Sequence, residues 1–176
     1  MTKKAVVTST VGFFIIGLLA WTHGLPLTGW VGMAPAGIAA AISPLSVILV
    51  VLAILAYLND ETIDGVILFS VAALVWSHSI GAMMAEGAYG WNVLLWGLLF
   101  LAIFCGARKG CTIRALFALA FGLALVADAI KHWSGSAHAY ALIEGYLDLL
   151  AGLLALVISL AVLAANRSRG KSTPPA

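Results

Sequence analysis

Six long apolar runs, separated by short polar connections, fill most of the chain. A helix needs about 20 apolar residues to cross the hydrocarbon core of a bilayer, and each run comes close to that length or exceeds it. We therefore predict six membrane-spanning helices, at about 5–22, 31–57, 63–85, 91–107, 112–131 and 139–164. Residues 1–166 then form a single transmembrane domain, and the polar segment 167–176 is expected to be a disordered tail.

Composition sets the fold class. Of the 176 residues, 63% are hydrophobic and only 9% are charged, whereas a soluble domain carries about 25% charged residues. The chain is thus predicted to be an all-α, polytopic bundle in a plasma membrane or a bacterial inner membrane. A net charge of +2 with dispersed basic residues gives no support to nucleic-acid binding. Because no catalytic, cofactor-binding or metal-binding motif occurs, we expect no enzyme activity, cofactor or metal.

The basic residues predict the orientation. Lys131 falls on one side of the predicted topology, and the other eight basic residues fall on the opposite side: Lys3, Lys4, Arg108, Lys109, Arg114, Arg167, Arg169 and Lys171. Basic residues favour the cytoplasmic side, so both termini are expected to be cytoplasmic. On that side, Asp64 lies in the first turn of the third helix, where a carboxylate complements the helix dipole. The predicted outer helix ends carry an aromatic belt: Trp21, Trp30, Tyr89, Trp91, Trp133 and Tyr140.

Two acids fall at membrane depth in the last predicted helix. Glu144 and Asp148 are four residues apart, so they share one helix face. A charged acid that faces lipid costs about 2.5–3.5 kcal/mol, and two full charges about 6 Å apart repel by roughly 3 kcal/mol at an effective dielectric constant near 20. We therefore expect the pair to line a hydrated path and to share a proton. The alternative is a structural role, with each carboxylate bonded to the backbone or a hydroxyl group of a neighbouring helix.

Asp128 and the four histidines fall toward the same face of the membrane. Asp128 precedes Lys131 and His132 by three and four residues, so it forms either an acidic entrance to the path or a local ion pair. The histidines all lie on the predicted outer side, at positions His23, His78, His132 and His138. Because free histidine changes its charge near about pH 6.5, these residues are candidates for sensing external pH.

Two prolines interrupt the second predicted helix, at Pro35 and Pro44. A proline inside a helix lacks a backbone donor and displaces the carbonyl group four residues before it. A kink is therefore expected in this helix. The alternative is that a freed carbonyl group lines the path.

Three segments resemble the acetate uptake transporters, also called acetate–succinate permeases. The first is FSVAALVW, which places Phe69 seven residues before Trp76. The second is LLWGLLFLAIFCGARKG, which contains Trp96 and Gly97 and ends in a Lys-Gly pair. The third is EGYLDLLAG in the last helix, where the Ile-Glu-Gly of LIEG also matches the related amide and urea channels. The stretch TSTVGFF departs from that pattern, because those transporters carry Asn-Pro-Ala-Pro-Leu-Gly there.

The resemblance implies a channel or transporter for a small solute, built in the lipid bilayer as a homo-oligomer, commonly a hexamer with one path in each subunit. The predicted solute is a short monocarboxylate such as acetate, which crosses with a proton exchanged by Glu144 and Asp148. Phe69, Trp76 and Trp96 are candidates for narrowing the path, or else for plain packing. Two other functions stay open: a channel for neutral amides such as urea, gated by external pH, and a non-transporting subunit or assembly factor of a larger complex.

Overall fold

The structure, a computed structural model, consists of helices and short turns. It describes the backbone of residues 3–31, 35–81, 86–134 and 137–170, and the side chains of residues 6–31, 44–78, 88–134 and 138–167. Six helices lie within these ranges: α1 Lys3–Leu27, α2 Pro35–Tyr57, α3 Thr62–Gly81, α4 Glu86–Ala107, α5 Thr112–Trp133 and α6 Ala137–Gly170. The prediction of an all-α bundle of six helices is confirmed.

The helices have the length and apolarity of membrane spans. Among the described residues, four are long and apolar enough to cross a bilayer: Val6–Leu27, Ala88–Ala107, Thr112–Trp133 and His138–Arg167. The described parts of α2 and α3 add two shorter apolar helices, Pro44–Tyr57 and Thr62–His78. The chain is therefore a multi-pass membrane protein.

Helix α1 is longer than predicted, and this changes the position of a histidine. The prediction ended this helix near residue 22, but α1 includes Pro26 and continues to Leu27. Pro26 lies in the last turn, where it removes only the hydrogen bond to the carbonyl group of Thr22. Gly29, at a φ of 77°, then ends the helix in the left-handed conformation that glycine adopts without strain. His23, which was expected in or beside a loop, is therefore a helical residue.

Other helix boundaries also differ from the prediction. Pro35 is the first residue of α2, a position where its missing donor costs nothing, so the kink expected there is wrong. Pro44 lies inside the same helix, which continues through it to Tyr57. Helix α4 begins at Glu86 rather than near residue 91, and α6 continues to Gly170, four residues into the segment expected to be disordered. The predicted parts at 32–34, 82–85 and 171–176 lie outside the described residues.

The six helices form a closed ring. Each helix packs against the next in the order α1, α6, α5, α4, α3, α2 and back to α1. The short turns between α2 and α3 and between α4 and α5 make these pairs antiparallel neighbours, as helices joined by few residues usually are. The interior of such a ring is a natural place for a path or a binding site.

Glycines bring α1 and α6 close together. A Cβ atom added to Gly24 would lie 2.8 Å from the carbonyl oxygen of Gly145, and one added to Gly152 would lie 3.0 Å from that of Gly17. Small residues at these crossing points let the two backbones approach, as is common between membrane helices. The close approach places the side chain that precedes Gly24 directly against α6.

Helices α1, α3 and α5 run in the same direction. Residues near their starts meet, because Ser9 and Arg114 both bond to Asp64. Residues near their ends also meet, because His78 lies beside both His23 and Asp128. We call the end of the ring where these helices begin the arginine end, and the opposite end the histidine end.

Candidate functional site

The acid pair of α6 is buried and faces into the ring. Glu144 is 2% exposed and Asp148 is 3% exposed. Nδ1 of His23 donates a hydrogen bond to Oδ2 of Asp148 at 2.7 Å and lies 3.9 Å from Oε1 of Glu144. The extended helix α1 thus provides a hydrogen-bond donor that the sequence did not assign to this pair.

Lys131 joins the acid pair to Asp128. Its Nζ lies 2.6 Å from Oε2 of Glu144 and 2.6 Å from Oδ1 of Asp128. The local ion pair considered for Asp128 is therefore present, but the same ammonium group also crosses from α5 to α6. Asp128 and Glu144 belong to one electrostatic unit.

Two more histidines complete this unit. Nε2 of His132 lies 3.3 Å from Oδ1 of Asp128, and Nε2 of His78 lies 3.8 Å from Oδ2. The ring of Tyr89, expected in the aromatic belt, packs between these two histidines. Its centroid lies 5.6 Å from that of His78 and 4.7 Å from that of His132. We define the histidine-end network by its ionisable members: His23, His78, Asp128, Lys131, His132, Glu144 and Asp148.

A cavity of about 310 Å³ adjoins this network inside the ring. Its polar wall includes Glu144, Asp148 and Tyr89. The remaining wall is mostly aliphatic, and α1, α3 and α5 each contribute residues at helical spacing to it. The cavity therefore has a polar face for a charged or hydrogen-bonding group and an apolar face for a short hydrocarbon chain.

Four buried phenylalanines lie beyond the apolar end of the cavity: Phe13, Phe100, Phe117 and Phe121. Phe117 is at the centre of the cluster, stacked on Phe121 at 5.6 Å between centroids and edge-on to Phe13 at 6.1 Å. Phe121 also lines the cavity. The cluster separates the cavity from the arginine end.

The narrowing candidates chosen from the sequence are misplaced. Phe69 and Trp76 are 55% and 46% exposed on the outside of the ring, so their assignment to the path is wrong for this chain. Trp96 packs partly buried against the hydrophobic core but does not line the cavity. His138 is exposed at the start of α6 and is not part of the histidine-end network. Residue type alone did not show which face of each helix turns inward.

A second buried charge pair lies at the arginine end. Asp64 is 1% exposed and accepts hydrogen bonds from Nε and Nη2 of Arg114, the latter at 2.8 Å, and from Oγ of Ser9 at 2.6 Å. The sequence reading of Asp64 as a partner of the helix dipole is therefore incomplete. The sequence indicated this pairing through Arg114, a basic residue at the third position of α5. Helix α5 runs in the same direction as α3, so the starts of both helices lie at the same end.

The charges of the histidine-end network do not balance without protons. Among the described side chains, this network contains three carboxylates against one ammonium group, and burying uncompensated carboxylates is costly. Three imidazoles that can take up protons lie beside the acids. The network would therefore be neutral only with protons bound to it.

The donor atoms of His23, Glu144 and Asp148 lie within 4.8 Å of one another, a grouping of the type that binds metal ions. In this structure, however, Asp148 accepts a hydrogen bond from His23, and Glu144 accepts one from Lys131. The two acids therefore already have cationic or donor partners from the protein. We interpret the three residues as part of the ion-pair network.

Comparison with known proteins shows which solved structure this fold is similar to. The sequence matches no known family model, and no curated protein matches it significantly. The structure is similar to that of the bacterial acetate channel SatP, with a TM-score of 0.80 at 15% identity over 99% of both chains. The chain therefore has the helical membrane fold of that channel, as the resemblance in its sequence implied.

Proposed function

We propose that this protein passes a small solute through the ring of helices, and that the solute is a short monocarboxylate such as acetate, accompanied by a proton. The observation that carries the proposal is the cavity of about 310 Å³ with Glu144 and Asp148 in its wall. Its aliphatic side suits a short alkyl chain, and its polar side suits a carboxyl group. The fold shared with an acetate channel supports the same solute class.

The composition of the histidine-end network supports the proposal that a proton moves with the solute. A carboxylate that enters the cavity adds a negative charge next to Glu144 and Asp148, which is unfavourable unless a proton accompanies it. His23 and Asp148, hydrogen-bonded at 2.7 Å, provide a donor and an acceptor at the cavity wall for this proton. His78 also lines the cavity, and Asp128 and His132 extend the network beyond its wall, as a route or reservoir for protons.

A neutral amide such as urea is the second candidate solute. Among the described side chains that line the cavity, His23 is already hydrogen-bonded to Asp148, and no lysine or arginine is present to attract an anion. A neutral solute would enter such a cavity without electrostatic repulsion. A non-transporting subunit is less favoured, because both acids of the pair line a cavity.

The proposal includes a homo-oligomer, a hexamer by resemblance, with both termini in the cytoplasm of a plasma membrane or bacterial inner membrane. Large apolar side chains cover the outside of the ring, and Phe69, Trp76 and Leu95 are among them. In a membrane these side chains face lipid or a second copy of the chain. The orientation is inferred from the basic residues, most of which lie on the side where α1, α3 and α5 begin. Basic residues favour the cytoplasmic side, so this side is assigned to the cytoplasm.

The test is uptake of labelled acetate and urea by proteoliposomes at several pH values, after subtraction of uptake by protein-free liposomes. Glu144→Gln keeps the shape of the side chain and removes its charge, so the folded protein should lose at least about tenfold in acetate uptake, or about 1.4 kcal/mol in the barrier. Asp148→Asn should have the same effect. The double variant should lose less than the sum of the two, because the acids act as one coupled site.

Asp60→Asn is the matched control, since Asp60 is exposed in the turn before α3 and asparagine tolerates its positive φ of 63°. Uptake by this control should stay close to that of the wild type. If Glu144→Gln transports normally but unfolds more easily, the acids are structural ties and the proposed path is wrong. Uptake of urea without acetate would instead favour the neutral-amide channel.

A further inference from the structure

The arginine end holds a carboxylate in the geometry that proteins use to recognise one. Arg114 donates two roughly parallel hydrogen bonds, from Nε and Nη2, to the two oxygens of Asp64. Such a fork fixes the orientation of a carboxylate as well as its charge. Ser9 adds a third hydrogen bond to Oδ2 of Asp64 at 2.6 Å.

This pair lies in line with the cavity. The three helices that bear it also supply the deepest residues of the cavity, Ile16 on α1, Val71 on α3 and Phe121 on α5. Each of these residues comes seven positions after a polar residue of the arginine end on the same helix, namely Ser9, Asp64 and Arg114 in that order. Seven residues are about two helical turns, so all three helices lead from the cavity to the same ion pair.

One member of the phenylalanine cluster, Phe13, also contacts the guanidinium group. The Cζ atom of Arg114 lies 5.8 Å from the centroid of the Phe13 ring, a cation–π contact. This contact does not involve Asp64, so it can keep the guanidinium oriented when the carboxylate leaves. The guanidinium of Arg114 is therefore oriented to bind a carboxylate, and in this structure it binds that of Asp64.

Opening of the arginine end would separate Arg114 from Asp64. If α3 moves away from α5, the guanidinium of Arg114 loses its carboxylate while it is still largely enclosed, and an unpaired charge in such a place is unfavourable. A solute carboxylate that reaches Arg114 can take over both hydrogen bonds. An amide brings no negative charge and has one acceptor oxygen, so it cannot replace Asp64 in the fork.

We propose that the guanidinium of Arg114 is a carboxylate-binding site at the arginine end of the path, held by Asp64 when this end is closed and by the solute carboxylate when it opens. The proposal rests on the proposed transport of a monocarboxylate. It adds that opening of this end depends on the chemical class of the solute. Asp64 and Ser9 are then positioning residues that keep the end closed in the absence of solute.

The test measures the exposure of Ser9, which is fully buried in the closed ring. Ser9→Cys is introduced into the full chain with Cys105 and Cys111 changed to serine, and the purified protein in detergent is labelled with a polar maleimide. Acetate should raise the labelling rate of residue 9 by at least about threefold, because it stabilises the open end. Acetamide at the same concentration, which matches acetate in shape, should leave the rate unchanged.

Arg114→Lys keeps the positive charge and removes the fork, so it should abolish the effect of acetate on labelling. Arg108→Lys is the matched control at an exposed arginine in the turn after α4, and it should retain the effect. A labelling rate that acetate does not change, or that acetamide raises equally, overturns the proposal. The comparison of acetate with acetamide needs only the Ser9→Cys protein, so it decides the matter even if Arg114→Lys does not assemble.

The failure of this inference differs from the failure of the proposed function. Acetate uptake by wild-type proteoliposomes tests the function by itself. Normal uptake with unchanged labelling rejects the role of Arg114 and leaves transport intact. Absent uptake rejects the proposed transport, while labelling still reports whether Arg114 binds a carboxylate.

Discussion

The two ends of the ring treat buried charge differently. At the arginine end, one carboxylate, Asp64, is matched by one guanidinium and one hydroxyl group, and both of its oxygens accept hydrogen bonds. At the histidine end, the acids outnumber the permanent cation, and the balance depends on imidazoles. A cavity adjoins the second arrangement, whereas phenylalanines separate it from the first. The difference supports the proposal that protons are exchanged at the histidine end, whereas a fixed ion pair occupies the arginine end.

The largest expected effect tests this contrast through stability. Arg114→Ala leaves Asp64 buried without a cation, which costs about 3–5 kcal/mol in the free energy of unfolding. Lys131→Ala should cost less, about 1.5 kcal/mol, because nearby histidines can take up protons and replace the lost charge. Reversible unfolding in mixed detergent micelles, followed by tryptophan fluorescence, measures both values. Equal losses would mean that the histidine end is as fixed as the arginine end.

Sequence patterns predicted the helices better than the partners of the buried charges. The length of the apolar runs was enough to find six helices, and the spacing of Glu144 and Asp148 was enough to place both acids on one face. His23 was missed as their partner because the first helix was predicted to end near residue 22, whereas α1 continues to Leu27. Pro26 does not stop it, since a proline in the last turn removes only one hydrogen bond. Asp64 was assigned to the helix dipole because its bond to Arg114 joins residues 50 apart in the chain. Pairing across helices depends on the rotation of each helix, which a periodic pattern does not fix when most faces are apolar.

A smaller effect tests proton exchange at the histidine end. His78 and His132 both face Asp128 and Tyr89, and His78 also faces His23, while Lys131 contacts the same aspartate. If these histidines exchange protons, wild-type acetate uptake should be at least about fivefold faster at the acid end of the range between about pH 5 and pH 8, or about 1 kcal/mol in the barrier. Replacing both with glutamine should reduce this ratio to about twofold.

His138→Gln is the control for the pH measurement, because His138 is exposed outside the network. Its pH profile should match that of the wild type. A double variant that folds and keeps the full pH response would limit proton exchange to His23 and the acid pair. A change in the His138 variant would instead indicate a sensor at the surface of the protein.

The smallest expected effect concerns what separates the two ends. Phe117 is fully buried at the centre of the phenylalanine cluster, and Phe69 is 55% exposed on the outside of the ring. Phe117→Leu removes an aromatic ring from the barrier and should speed uptake of a longer acid, such as butyrate, by about threefold relative to acetate, or about 0.6 kcal/mol. Phe69→Leu makes the same chemical change on the outer face and should leave the ratio of the two solutes unchanged. Competition uptake with both labelled acids measures this ratio in one vesicle preparation. If Phe69→Leu alters the ratio and Phe117→Leu does not, solute passes along a surface outside this ring, and the two ends described here are not parts of one path.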